Sequence, residues 1–283
     1  MMSLKLMYIT NKPVVAQIAE RAGVDRVFVD LEYIGKQERQ AGLDTVQSHH
    51  TLRDVLTVRK AVTKSELLVR CNPIHEKTSD YPASKEEIDA IIENGADIIM
   101  LPYFKTVSEV EIFIKLVGGR AKTMLLIETP EAVNRIDEIL NFNGIDEVYV
   151  GLNDLSLGYG QKFMFEPLAD GTVDSLCDKF KAKGLPFGFG GIASIGHGLL
   201  PSEMVIKEHY RLGSSCSILS RSFCNVNNTD DLDTINSIFV NGIREIRQLE
   251  SECESRCGTD SEYFVSNKIA VAQKIKNIVA RLK

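Results

Sequence analysis

Five charged residues stand where runs of apolar residues stop. Asp30 and Glu32 close "RVFVDLE", Arg70 closes "ELLVR", Glu128 closes "TMLLIE", and Asp154 follows "EVYVGLN". Glu128 and Asp154 offer hard oxygen ligands of the kind that hold Mg2+ or Mn2+ while leaving positions for water and substrate. Arg70 offers a planar fork that matches a carboxylate, and its fixed charge suits an enolate oxygen. Each residue also has a plainer role. Glu128 precedes Thr129 and Pro130, a natural helix entry; "NDLS" reads as a turn; Arg70 has Asp30 and Glu32 as structural partners. Joint placement at strand ends is what favours chemistry over these roles.

Further candidates lie in the segments between the runs. His49 and His50 fall in the long stretch "YIGKQERQAGLDTVQSHHT", which is expected to overhang the ends of the strands, whereas His75, His197 and His209 read as surface or structural. The glycines of "PFGFGGIASIGHG" suit either a phosphate cradle or close approach of a substrate. Cys253 and Cys257 share a helix face but lack two further nearby Cys or His ligands, which argues against zinc. No strand end presents a lysine for a Schiff base; Lys105 is the nearest.

The elements that position these residues alternate. β-rich runs at 5–10, 26–32, 66–71, 97–102, 123–128, 147–152, 186–191 and 215–220 are separated by segments with helical spacing, such as Val14, Val15, Ile18, Ala19 and Ala22. The runs are too uniformly apolar for a sheet with one solvated face. Eight such units predict an α/β fold, a (β/α)8 TIM barrel with extra C-terminal helices, whose chemistry sits at the C-terminal mouth. The expected division is a barrel over residues 1–225 and a helical segment over 226–283 that packs on the barrel or on a neighbouring subunit. Composition agrees with a large globular core: 283 residues, 44% apolar, 25% charged. A net charge of −6 without a long basic run argues against nucleic-acid or membrane partners. With neither a membrane-spanning run nor a signal segment at "MMSLKLMYIT", the expected location is cytoplasmic, with reduced cysteines.

"DRVFVDLE", "LLVR", "GADIIMLP", "IETPEAV", "GIDEVYVGLNDLS" and "GLPFGFGG", in that order, resemble the HpcH/HpaI aldolase/citrate lyase beta-subunit family of divalent-metal-dependent enzymes. The resemblance spans residues 5 to 220. It implies a phosphoenolpyruvate/pyruvate-type barrel, a homo-oligomer, Mg2+ or Mn2+ on Glu128 and Asp154, and a substrate-binding arginine at Arg70. It also implies that the backbone of Gly151, Leu152 and Asn153 lines the substrate carboxylate, with Glu32 nearby. The chain departs from the family at three places. Members that cleave hydroxy-oxo-diacids have a histidine where this chain has Tyr33; Leu152 and Asn153 alter the usual "GPxDLS"; and "GQKFMFEPLADGTV" is not the usual link between strands six and seven.

The expected activity is that of a carbon–carbon lyase, a class II aldolase acting on a 4-hydroxy-2-oxo acid through a pyruvate-type enolate, with a 2-oxo acid and an aldehyde as small-molecule partners. For the base on the 4-hydroxyl, His49, His50, Tyr33 and a metal-bound water are all open. The alternatives are an acyl-CoA lyase of the citrate lyase type and a 2-oxo-acid-binding barrel altered in catalysis.

Overall fold

A computed structural model of the chain describes residues 3–36, 49–226 and 231–282. Eight parallel strands close into a barrel in chain order: β1 Lys5–Ile9, β2 Arg26–Asp30, β3 Glu66–Arg70, β4 Ile98–Leu101, β5 Lys122–Ile127, β6 Glu147–Val150, β7 Phe187–Ile192 and β8 Cys216–Leu219. β8 returns to β1, with Cys216 opposite Lys5. The eight runs read from the sequence lie within two residues of these strands at either end. The helices are α1 Pro13–Ala22, α2 Leu52–Ala61, α3 Ser84–Glu93, α4 Val107–Val117, α5 Pro130–Asn134, α6 Ile136–Ile139, α7 Leu152–Gly158, α8 Glu166–Ala169, α9 Thr172–Ala182, α10 Ser202–Leu212, α11 Leu232–Arg256 and α12 Ser261–Val279. The molecule is a (β/α)8 barrel with additional C-terminal helices.

Both faces of every strand are covered, which explains why the runs lack polar alternation. One set of side chains, including Met7, Phe28, Leu68, Met100, Met124 and Tyr149, fills the barrel interior. The other set, including Val27, Val29, Val69, Ile99, Val148 and Phe189, is buried beneath the helices. At the N-terminal end of the strands the fully buried Arg26 donates to both oxygens of Glu147 at 2.7 and 2.6 Å and to Glu66 at 2.8 Å. A buried guanidinium is tolerable only with such complete pairing. It plugs the end of the barrel opposite the mouth.

Two glycines of β7 mark close packing against neighbouring side chains. A Cβ at Gly188 would fall 2.6 Å from the Tyr149 ring, and one at Gly190, whose φ is +59°, 2.9 Å from Leu152. The Tyr149 hydroxyl crosses the interior to donate to the Gly190 carbonyl at 2.6 Å and to accept from the Ile218 N–H at 2.9 Å.

The C-terminal helices pack on their own barrel. α11 runs along α1, with Phe239 edge-on to Tyr8, and its Glu250 accepts from the Leu4 N–H at 2.7 Å. α12 lies on α10, where the Asn267 amide donates to Glu208 at 2.8 Å and to the Met204 carbonyl at 3.0 Å. Among the described residues no helix is long and apolar enough to cross a membrane.

Candidate active site

The mouth begins with a ladder pair. Asp30 and Arg70 are direct neighbours in the β2–β3 register, and strand alternation turns both inward above Phe28 and Leu68. Arg70 donates through Nε at 2.8 Å and Nη2 at 2.7 Å to the two oxygens of Asp30, and Nη1 lies 3.3 Å from Glu32. The structural pairing open to Arg70 in the sequence is therefore real. Lys36 completes the group: its Nζ sits 2.7 Å from Asp30 Oδ2 and 3.4 Å from Glu32 Oε2, with the side chain buried. Burial alone would raise the Asp30 carboxyl, but the charges of Arg70 and Lys36 overcome it and hold Asp30 well below the usual carboxylate range. Burial likewise works against the Arg70 charge, and Asp30 and Glu32 more than restore it.

Glu128 is not the helix start. Thr129 caps α5, accepting from the Ala132 N–H at 3.1 Å, and Pro130 opens the helix. Glu128 is buried at the mouth and accepts from the backbone N–H of Tyr103 at 2.9 Å. That N–H is aimed by a left-handed backbone, φ +47° at Tyr103, a conformation costly for an aromatic residue. On the other side stands Gly151, where a Cβ would fall 2.7 Å from Glu128 Oε2. Gly151 leaves the space in which the carboxylate lies. "NDLS" is the first turn of α7 rather than a free turn; Asp154 is buried there and its Oδ1 accepts from the Asn153 amide at 3.0 Å. Leu152 sends its side chain into the outer core, so only its backbone is available at the mouth.

This arrangement fits a hard divalent cation. Two buried carboxylates stand at the mouth, Glu128 just past the end of β5 and Asp154 in the first turn of α7, and Glu128 lies in a cradle that a single Cβ would fill. Among the described residues no group of three or more His, Cys, Asp or Glu is placed to hold a metal. A closed cage of protein ligands is not what Mg2+ or Mn2+ requires: one or two carboxylates, with water and substrate, suffice. Glu128 and Asp154 are the residues that would hold the ion.

The three candidate bases have different surroundings. The Tyr33 hydroxyl donates to the carbonyl of His50, and burial together with Asp30 and Asp54 raises its pKa. The Nδ1 of the buried His50 accepts from the Asp30 backbone N–H at 3.1 Å, which leaves the proton on Nε2. Burial pushes the His50 pKa down against the opposing pull of Asp30 and Asp54. His49 is exposed and stacks on Tyr33 with ring centroids 6.3 Å apart. Residues 37–48 of the segment expected to overhang the mouth lie outside the described residues.

The model of the HpcH/HpaI aldolase/citrate lyase family matches residues 5–166, more than half of the chain. The chain belongs to that family. No curated protein matches it. Two solved structures share the fold: the HpcH/HpaI aldolase from Desulfitobacterium hafniense DCB-2, at 16% identity and TM-score 0.60, covering 82% of this chain and 93% of that one, and an HpcH/HpaI aldolase/citrate lyase family protein from Burkholderia cenocepacia J2315, at 14% identity and TM-score 0.60, covering 82% and 94%. At these identities the likeness concerns the fold. The HpcH/HpaI family is one of aldolases and lyases that generally use a divalent metal. Its match ends at residue 166, inside the link between β6 and β7 that departs from the family in sequence.

Three parts of this HpcH/HpaI mouth escaped the sequence reading. Lys36 lies six residues beyond Asp30, outside any strand end, and only the turn at Ile34–Gly35 brings it back. Asn72, held by Glu87 at 2.8 Å, accepts from the Tyr33 and Ile34 N–H groups at 2.8 and 2.9 Å and so fixes that turn. Tyr103 acts through its backbone, which residue type does not disclose. Lys105, by contrast, is about half exposed, with Nζ 3.6 Å from Glu131 and 5.2 Å from the Tyr103 ring centre.

Proposed function

We propose that this chain is a metal-dependent class II aldolase or lyase that makes or breaks the C3–C4 bond of a 4-hydroxy-2-oxo acid through a pyruvate-type enolate. The observation that supports this reading is that two buried carboxylates, Glu128 and Asp154, stand at the same barrel mouth as the half-buried guanidinium of Arg70. A bound Mg2+ or Mn2+ supplies Lewis acidity that polarises the 2-oxo group. Arg70, held as a cation by Asp30 and Glu32, supplies the fixed positive charge toward which the enolate oxygen develops. Gly151, Leu152 and Asn153 present backbone toward the substrate carboxylate at the start of α7.

The proton on the 4-hydroxyl needs an acceptor. Tyr33 is engaged as a donor to a carbonyl, and the one lone pair of neutral His50 is taken by the Asp30 N–H. Those two bonds favour His49 over the other two side chains. A Schiff-base route has no support from Lys36, because an amine nucleophile needs an apolar or cationic neighbourhood and Lys36 lies between two carboxylates.

The deciding experiment is exchange of the pyruvate methyl protons into D2O by NMR, with Mn2+, with Mg2+ and with chelator. Metal-dependent exchange is expected. Absence of exchange under every condition, with oxalate binding retained, would leave a 2-oxo-acid-binding barrel in place of an enzyme.

A further inference from the structure

Arg70 is clamped by two carboxylates, and one guanidinium cannot neutralise both. Asp30 takes Nε and Nη2, and Glu32 stands 3.3 Å from Nη1. With Arg70 alone, this buried group would carry a net negative charge at the place where the proposed function puts an anionic substrate. Lys36 removes that excess. Its ammonium reaches the same oxygens that Arg70 uses, Asp30 Oδ2 at 2.7 Å and Glu32 Oε2 at 3.4 Å. Two acids and two bases then balance inside the mouth, where charges are poorly screened.

We infer that Lys36 is a positioning residue that keeps Arg70 electrostatically available to a 2-oxo acid, by neutralising the second of the two carboxylates that clamp the guanidinium. The inference rests on the reading of Arg70 as the substrate arginine. Three features support a tuned element over an incidental surface pair. The Lys36 side chain is buried, it pairs with both carboxylates rather than one, and the turn that delivers it is pinned by Asn72. Side-chain burial of a lysine requires this degree of pairing. Lys36 would act on affinity for the anion rather than on the acid pair proposed for the metal, because its ion pairs are with Asp30, the last residue of β2, and Glu32 just beyond it.

The test measures oxalate, a planar dianion that stands in for the pyruvate enolate, by calorimetry on the Mn2+-loaded protein, with Mn2+ affinity measured separately. Lys36→Met is expected to weaken oxalate about tenfold or more, since it leaves an unbalanced like charge beside the anion, while Mn2+ affinity stays within about twofold. Lys36→Arg should restore oxalate binding. The double variant Lys36→Met/Glu32→Gln removes one charge of each sign and should recover most of the affinity, and it keeps the test open if Lys36→Met alone fails to fold. Wild-type oxalate affinity in Lys36→Met overturns the inference. So does a folded double variant that stays as weak as Lys36→Met, because Lys36 would then contact the anion directly. Arg70→Ala separates the two levels: if it too binds oxalate normally, the reading of Arg70 fails; if it alone loses oxalate, only the inference about Lys36 does.

Discussion

Asp30 and Arg70 face each other across the β2–β3 ladder, and four residues down the same two strands Arg26 and Glu66 face each other with the signs exchanged. The lower pair belongs to a plug: Arg26 is fully buried and spends its fork on Glu147 and Nε on Glu66. The upper pair opens on the mouth, where Arg70 keeps about 14% of its side chain accessible. In a parallel barrel the strand direction puts one pair at the closed end and the other at the mouth, where chemistry is expected.

Replacing Arg70 tests that division. Arg70→Ala should lower the rate of pyruvate methyl exchange by roughly a hundredfold or more, the size expected for loss of a charge that faces a developing oxyanion. Arg70→Lys should recover only part, since an ammonium keeps the charge without the fork that grips Asp30. Arg26→Met, at the other end of the ladder, is expected to leave Glu147 unpaired and to lower the melting temperature while exchange per folded molecule is unchanged. NMR exchange rates alongside thermal melts separate the two, and exchange lost equally in folded Arg26→Met and Arg70→Ala would contradict the assignment.

Much of this was legible in the sequence because barrel geometry converts a position at a strand end into a position in space. Arg70, Glu128 and Asp154 could be placed at the mouth from the apolar runs alone. What stayed hidden depends on features that residue type does not carry. Lys36 reaches Asp30 only through a turn, and Tyr103 contributes an N–H set by its backbone angle. The same limit applies to "PFGFGG", where the sequence does not disclose that the space beside Gly188 is taken by the Tyr149 ring. The helix-capping role open to Glu128 falls likewise to a neighbour, since Thr129 performs the capping.

The acid pair should be separable from its cradle. Glu128→Gln and Asp154→Asn are each expected to weaken Mn2+ binding by about tenfold or more, because each replaces a charged oxygen ligand with a neutral amide. Gly151→Ala should weaken it as well without touching a ligand, since its Cβ would fall 2.7 Å from Glu128 Oε2 and 2.9 Å from Glu128 Cβ. Isothermal calorimetry on variants that melt cooperatively reads all three. Normal Mn2+ affinity in Glu128→Gln and Asp154→Asn together would remove the metal assignment. Normal affinity in Gly151→Ala alone would remove only the role of the cradle.

His209 gives a stability prediction away from the mouth. It is fully buried on α10, stacks on Phe189 with centroids 4.0 Å apart, and bonds through Nδ1 to Ser214 Oγ at 2.8 Å. Burial lowers its pKa from 6.5 to about 3. Below the ordinary value the unfolded chain takes up a proton that the folded protein refuses, so this contribution to stability is complete above pH 6.5 and is lost as pH falls toward 3. The slope is about 1.4 kcal/mol per pH unit. His209→Phe keeps the stack and removes the titration, so urea denaturation between pH 7 and about pH 5 should show a flatter decline than wild type. Parallel declines would show that His209 does not titrate on unfolding as described.

The choice among the three bases has a kinetic signature. His50 has its basic nitrogen occupied by the Asp30 N–H, and Tyr33 holds the His50 carbonyl, so both are expected to shape the entrance to α2 rather than to move the substrate proton. His50→Ala and Tyr33→Phe should therefore lower aldol cleavage modestly and leave the acidic limb of the pH–rate profile in place. His49→Ala should reduce cleavage by roughly a hundredfold, the usual range for a general base. Pyruvate methyl exchange should survive in His49→Ala, because exchange removes no proton from a 4-hydroxyl. Cleavage at the wild-type rate in His49→Ala would rule out the imidazole. Exchange and cleavage lost together would instead place His49 at the enolate rather than at the 4-hydroxyl.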